Sequence, residues 1–156
     1  MRGVLQLRHE VGVGVDVRRP DGGLLWRYVY APSTPAKEAR RPYAHPVCSL
    51  AGDVLTNFRP NDHPWHHALS LTLTSVDGVN FWGGPSYRAG EGYCWCEDAG
   101  EQRHEAWLTL RPELLEERVG WFSGAGERLL EERRRLETSL DDAGWSLRWK
   151  IGRAHV

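Results

Sequence analysis

Apolar residues recur at every second position through long parts of this chain. Leu5, Leu7, Val11, Val13, Val15 and Val17 share one period-two register, and Leu69, Leu71 and Leu73 alternate with Ser70, Thr72 and Thr74. That repeat belongs to a strand with one buried face, because successive side chains of extended backbone point to opposite sides. The alternating segments are short and bounded by turn residues: RPDGG at 19–23, Ala51-Gly52-Asp53 and Asp77-Gly78. LLWRYVYA (24–31) follows the first turn as the second arm of a hairpin, and Leu69–Leu73 reads as the clearest strand. YAHPVCSLAGDVLTNF (43–58) reads as two short strands about its own turn.

Between them, the proline-rich APSTPAKEARRP (31–42) reads as a surface loop. Towards the C-terminus HEAWLTLRP, LLEERVGWFSG, RLLEERRRLETSL and GWSLRWK form a regular series. The third contains strong helix formers, yet its turn-bounded neighbours favour a strand in an antiparallel meander. The fold class expected is therefore all-β, an antiparallel β-sandwich.

The length of 156 residues suits one domain, and the formal charge of -1 gives no field to draw nucleic acid or anionic lipid. No apolar run reaches the roughly 20 residues that a membrane helix needs, and no leader pattern opens the chain. A cytoplasmic protein with neither nucleic-acid nor membrane partners is expected. Cys48, Cys94 and Cys96 are an odd set, and Cys94-Trp95-Cys96 is one residue short of a C-x-x-C knuckle, so free thiols are expected. The terminal IGRAHV resembles translated sequencing-adapter DNA. The chain is accordingly divided into a partial domain over 1–150 and an adapter-derived tail over 151–156, with His155 left out of any site.

Chemistry concentrates in NDHPWHHALSLTLT (61–74), where His63, His66 and His67 fall within five residues. Pro64 prevents a helix that would place two of them on one face, so H-E-x-x-H logic does not apply. In extended backbone His67 lies on the leucine side and His66 opposite. His45 belongs to another strand that can approach the same mouth. A divalent metal at His45, His63 and His66, with Asp62 as an orienting carboxylate, is one option; structural hydrogen bonding is another. His104 beside Glu105 reads as a surface ion-pair partner. Trp65, Trp82 and Trp95 stand beside polar residues, as aromatic platforms in a carbohydrate pocket do, although they also suit a sandwich core. Arg41, Arg59 and Arg88 offer donors. No nucleophile elbow is present, and no spacing selects a carboxylate pair.

The motifs R-P-Y-x-H-P at Arg41–Pro46, D-H-P-W-H at Asp62–His66 and N-F-W-G at Asn80–Gly83 resemble those of a bacterial family labelled PmoA-like, or methane oxygenase PmoA, a domain of unknown function. The resemblance implies a β-sandwich like the galactose mutarotase supersandwich, truncated here at its C-terminus. Carried over by motif, Arg41, Tyr43, His45, Asp62, His63, Trp65, His66, Asn80 and Trp82 line its pocket. His67 departs from the family pattern, and Ala68 stands where glycine is usual.

The function expected is a carbohydrate-active enzyme of isomerase, lyase or hydrolase type. His63 or His66 would be the acid/base and His45 and Asp62 further catalytic groups, with Arg41, Tyr43, Trp65, Asn80, Trp82 and His67 binding a small carbohydrate. The alternatives are a non-catalytic carbohydrate-binding module and, from the family label, a metal-dependent oxidoreductase.

Overall fold

Two four-stranded antiparallel sheets and one small hairpin make up the fold in the computed structural model, which describes residues 3–152. The first sheet is a simple up-and-down run of β1 (Gln6–Glu10), β2 (Gly14–Arg18), β3 (Leu24–Val29) and β4 (Tyr43–Val47). After β4 the chain runs irregularly to the hairpin of β5 (Ser86–Arg88) and β6 (Gly92–Cys94). The second sheet is the C-terminal meander of β7 (Glu101–Arg111), β8 (Leu114–Phe122), β9 (Arg128–Asp141) and β10 (Gly144–Ile151), hydrogen-bonded in the order β10-β9-β8-β7. The all-β antiparallel sandwich thus agrees with the sequence pattern, including the strand choice for β9. Among the described residues no helix is long and apolar enough to cross a membrane.

Val15, Val17, Leu25, Trp26 and Tyr28 from the first sheet form one core cluster with Leu115 and Leu136 from the second. Aromatic area dominates it, and the polar tips of the rings reach across: Trp26 Nε1 donates to Thr138 Oγ1 at 3.0 Å, and the Tyr28 hydroxyl donates to Glu117.

The inner face of β9 carries Glu132 and Arg134 as well as Leu136 and Thr138, all buried. Arg134 is fully enclosed, and its fork is matched donor by donor. Nε and Nη2 each reach Glu132 at 2.7 Å, Nη1 reaches the Tyr28 hydroxyl at 3.0 Å, and Nη2 also reaches Gln102 Oε1 at 2.8 Å. Burial works against this charge, but Tyr28, Glu132 and Glu117 outweigh it and push the guanidinium pKa up. His104 Nδ1 lies 2.5 Å from Glu117, so this histidine is an interior partner of the same network and not the surface neighbour of Glu105 that was expected.

Three other expectations fail locally. No strand forms over Leu69–Leu73; only an isolated bridge joins Leu69 to Ala44, and Leu69 and Leu73 are exposed. Ala68 takes a left-handed φ of 47°, which resets the alternation one residue before the leucines and turns Ser70 towards Arg41. After the Ala51–Asp53 turn there are likewise only isolated bridges, Cys48 to Val54 and Phe58 to His67, and no second strand. The supposed surface loop over 31–42 buries Thr34, Glu38, Ala39, Arg41 and Pro42. Of the terminal IGRAHV, Ile151 ends β10 opposite Arg134 and the Gly152 amide donates to the Arg133 carbonyl; the remaining four residues, His155 included, lie outside the described ones.

Candidate functional site

The irregular stretch between β4 and β5 runs back along the β4 edge of the first sheet, bridged to it at Ala44–Leu69 and just beyond it at Cys48–Val54, and a buried carboxylate organises it. A 3₁₀ turn at Ala36–Glu38 ends where Ala39 adopts φ 51° and its amide donates to the Ala36 carbonyl. This reversal drives the Glu38 side chain inward to 1% exposure. A lone buried carboxylate would be costly, and Glu38 is not alone. Arg59 grips it through Nε to Oε2 at 3.0 Å and Nη2 to Oε1 at 2.8 Å, and His67 Nε2 stands 2.8 Å from the same Oε2. Burial acts to raise the carboxyl pKa, but Arg59 and then His67 prevail, so the group is held below its ordinary value and stays ionised.

Arg41, 2% exposed, ties the surrounding backbone together. Nη1 donates to the carbonyls of Glu38 and Ala39, both at 2.9 Å, Nη2 to that of Trp65 at 2.7 Å, and Nε to Ser70 Oγ at 3.0 Å. Burial lowers its pKa to about 10, which leaves it cationic at neutral pH. A bridge from Phe58 to His67 and the Arg59 amide bonded to the His66 carbonyl at 2.9 Å clamp the two arms of this loop. Behind His67 the Tyr43 ring stacks on Phe58 at 4.6 Å, and the His45 ring stacks on the same Phe58 at 5.5 Å.

These supports frame an open cavity of about 530 Å³. Arg41, His66, His67 and Trp82 line it, together with Thr56, Asn57, Ser70 and Thr72. Among the described residues four that are not glycine have positive φ, and three of them, Ala39, Arg59 and Ala68, belong to its wall or its supports. Backbone strain of this sort persists only where the surroundings over-determine it, and it gathers at functional sites. Ala68→Gly is expected to relieve about 1 kcal/mol of it and raise Tm by a few degrees, as followed by circular dichroism. A lowered Tm would show that the methyl group packs usefully there.

The other residues singled out in the sequence lie around this cavity. His63 pairs with Asp62 at 2.9 Å on the exposed side, and its ring sits 5.1 Å from both His66 and Trp65. Its hydrogen bond is the first cause of the lowered Asp62 pKa. His45 is turned away, its Nδ1 2.8 Å from Thr56 Oγ1, and burial lowers its pKa. Tyr43 is structural backing. Asn80 lies under the neighbouring loop, where its Oδ1 accepts from the Trp82 and Gly83 amides at 2.8 and 2.9 Å. The metal set of His45, His63 and His66 is not assembled: among the described residues no three His, Cys, Asp or Glu side chains come together as ligands. The spacing of Thr56 and Asn57 gave no hint of the cavity. Glu38 was missed because it lies in the 31–42 stretch that reads as a surface loop, and Arg59, named only as a donor, had no partner assigned.

The profile of a family of unknown function (DUF6807) matches residues 15–153. The chain belongs to this family. The match corrects the PmoA-like assignment, which rested on three short motifs. In this chain their residues have local structural reasons: Arg41 ties carbonyls, Trp65 packs against Gly83 and Gly84, and Asn80 caps the turn at Trp82. No curated protein and no solved structure gives a significant match.

Proposed function

We propose that the cavity beside Trp82 binds a sugar or sugar derivative and that His67 receives a hydroxyl proton there. One observation carries the reading. Glu38, held ionised, can only accept hydrogen bonds, so the Nε2 facing it at 2.8 Å bears the imidazole hydrogen. Burial, with Arg41 and Arg59 acting in the same sense, pushes the His67 pKa down to about 4, so the ring is neutral at neutral pH. Nδ1 is then a bare acceptor, buried with no partner among the described residues. Such an acceptor can take the hydrogen of a ligand hydroxyl.

The rest of the lining suits a polyhydroxylated molecule: Thr56, Ser70 and Thr72 hydroxyls, the Asn57 amide, and the half-exposed indole of Trp82 as a platform for apolar ring faces. A carboxylate behind an imidazole fixes its tautomer and stabilises the imidazolium formed when a hydroxyl proton moves to Nδ1. His66, kept neutral chiefly by burial and then by His63, stands at the exposed edge as the group to exchange that proton with solvent. This reading moves the proton-transfer role from His63, which is outside the cavity lining, to His67.

A second reading, binding without turnover, is favoured by the same pKa of about 4, since so weak a base accepts a hydrogen bond more readily than a proton. The oxidoreductase alternative rested on the corrected label and is not carried forward. Common hexoses, pentoses and uronic acids titrated against tryptophan fluorescence, with mass spectrometry of each incubated sugar, test both readings. Binding that falls at least tenfold in a folded His67→Gln variant is expected. Product formed by the parent protein and lost in the variant establishes catalysis, product-free binding establishes the module, and no binding by any sugar overturns the proposal.

A further inference from the structure

Trp82 lines a second cavity as well, of about 630 Å³, between its indole and the β5–β6 hairpin. The indole is a fixed partition. Its amide and that of Gly83 are capped by Asn80, and Gly83 and Gly84, at φ 89° and 70°, lie so close to Trp65 that an added Cβ would meet it at 2.9 and 2.5 Å. The hairpin pairs Tyr87 with Tyr93, whose rings stand 5.4 Å apart, 67% and 77% exposed. Two neighbouring tyrosines so open to water are poor use of apolar area unless a ligand covers them. At the base of this cavity Asp98 Oδ2 accepts from Ser86 Oγ at 2.6 Å, while Asp98 Oδ1 is buried with no partner among the described residues. Each cavity thus has an aromatic platform, a set of hydroxyls and one enclosed acceptor lacking a donor, and the two share a wall.

We infer that the ligand is an oligosaccharide of at least two neutral rings that passes across Trp82, the first ring beside His67 and the second on Tyr87 and Tyr93 with a hydroxyl donated to Asp98 Oδ1. The inference rests on the carbohydrate reading of the first cavity and extends it. A neutral ring is specified because the unpartnered acceptor at the base of the second cavity is a carboxyl oxygen that suits a hydroxyl, while the one cation among the lining residues, Arg88, stands on the exposed hairpin and not at the base.

The test titrates the full chain with glucose, galactose, mannose, xylose, arabinose and N-acetylglucosamine, and with the di- and trisaccharides of each, by tryptophan fluorescence. For the sugar that fits, the disaccharide is expected to bind at least tenfold more tightly than its monosaccharide. Tyr87→Ala, at an exposed position, and Asp98→Asn should each erase most of that gain, whereas His67→Gln weakens ligands of every length. Equal affinity for one ring and two, or an equal loss for both in Tyr87→Ala, overturns the two-ring inference while leaving the first cavity as a sugar site. If no sugar of any length binds, the carbohydrate reading itself fails and this inference falls with it.

Discussion

Replacing Arg134 with methionine is expected to cost roughly 3–5 kcal/mol of stability, a large part of what a domain of this size possesses. Methionine fills much of the volume, so the loss comes from the groups left behind. Glu132 would lose both arms of its bidentate partner, and the Tyr28 hydroxyl and Gln102 Oε1 would each lose a donor in a space closed to water. The face of Trp149, 5.1 Å from the guanidinium, would lose its cation as well. Urea unfolding should show the midpoint fall with little change in slope. Replacing Glu132 by leucine in the same chain should recover part of the loss, because the stranded carboxylate is then gone. A single-variant loss below about 1 kcal/mol would mean that the interior network is solvated or dispensable.

Acid should weaken the protein before its surface carboxylates titrate. The His67 pKa is about 4 in the folded chain against an ordinary value of 6.5, so the unfolded chain binds the proton first. Its contribution is fully present above pH 6.5 and is lost as pH falls from there to about 4, a decline of at most roughly 3 kcal/mol. Glu38, also held below its ordinary value, adds a loss in the same direction at lower pH, and His45 and His66 add smaller ones in the upper window. The ring is faced by Glu38, Arg41 and Arg59, so no unpaired carboxylate is at hand to welcome the extra charge. His67→Gln should flatten the stability curve between pH 6.5 and 4. An unchanged slope in that variant would show that His67 is not the group responsible.

Strand existence was legible wherever alternation was reinforced by neighbours. The meander from β7 to β10 repeats strand, tight turn and strand with little interruption, so a helix over residues 127–140 had no place despite its composition. Which face of β9 turns inward was not legible. Glu131, Glu132, Arg133 and Arg134 are all charged, and nothing in a run of like-natured residues says that Glu132 and Arg134 will be the buried pair. The leucine alternation at 69–73 misled for the opposite reason, since a clean period was undone by the backbone reversal at Ala68, which no residue preference announces.

The candidate site was half visible. Histidine and tryptophan density drew attention to residues 61–74, and Arg41, His66, His67 and Trp82 line one cavity. The decisive partner, Glu38, was hidden because its burial depends on a 3₁₀ turn and on Arg59, a residue 21 positions away. Long-range pairing of that kind leaves no mark on local composition.

Gln102 links the two halves of the molecule. Its Oε1 receives Arg134 in the interior and its Nε2 donates to the Leu71 carbonyl, both at 2.8 Å, while Leu71 sits between the cavity residues Ser70 and Thr72. The amide has one orientation open to it, because its two ends meet a pure donor and a pure acceptor. The interior ion cluster and the cavity wall therefore answer to one another through a single side chain. A substitution that disturbs Arg134 is therefore expected to be felt at Ser70 and Thr72, and one that moves that wall to be felt at Arg134, so paired changes at the two places should depart from additivity.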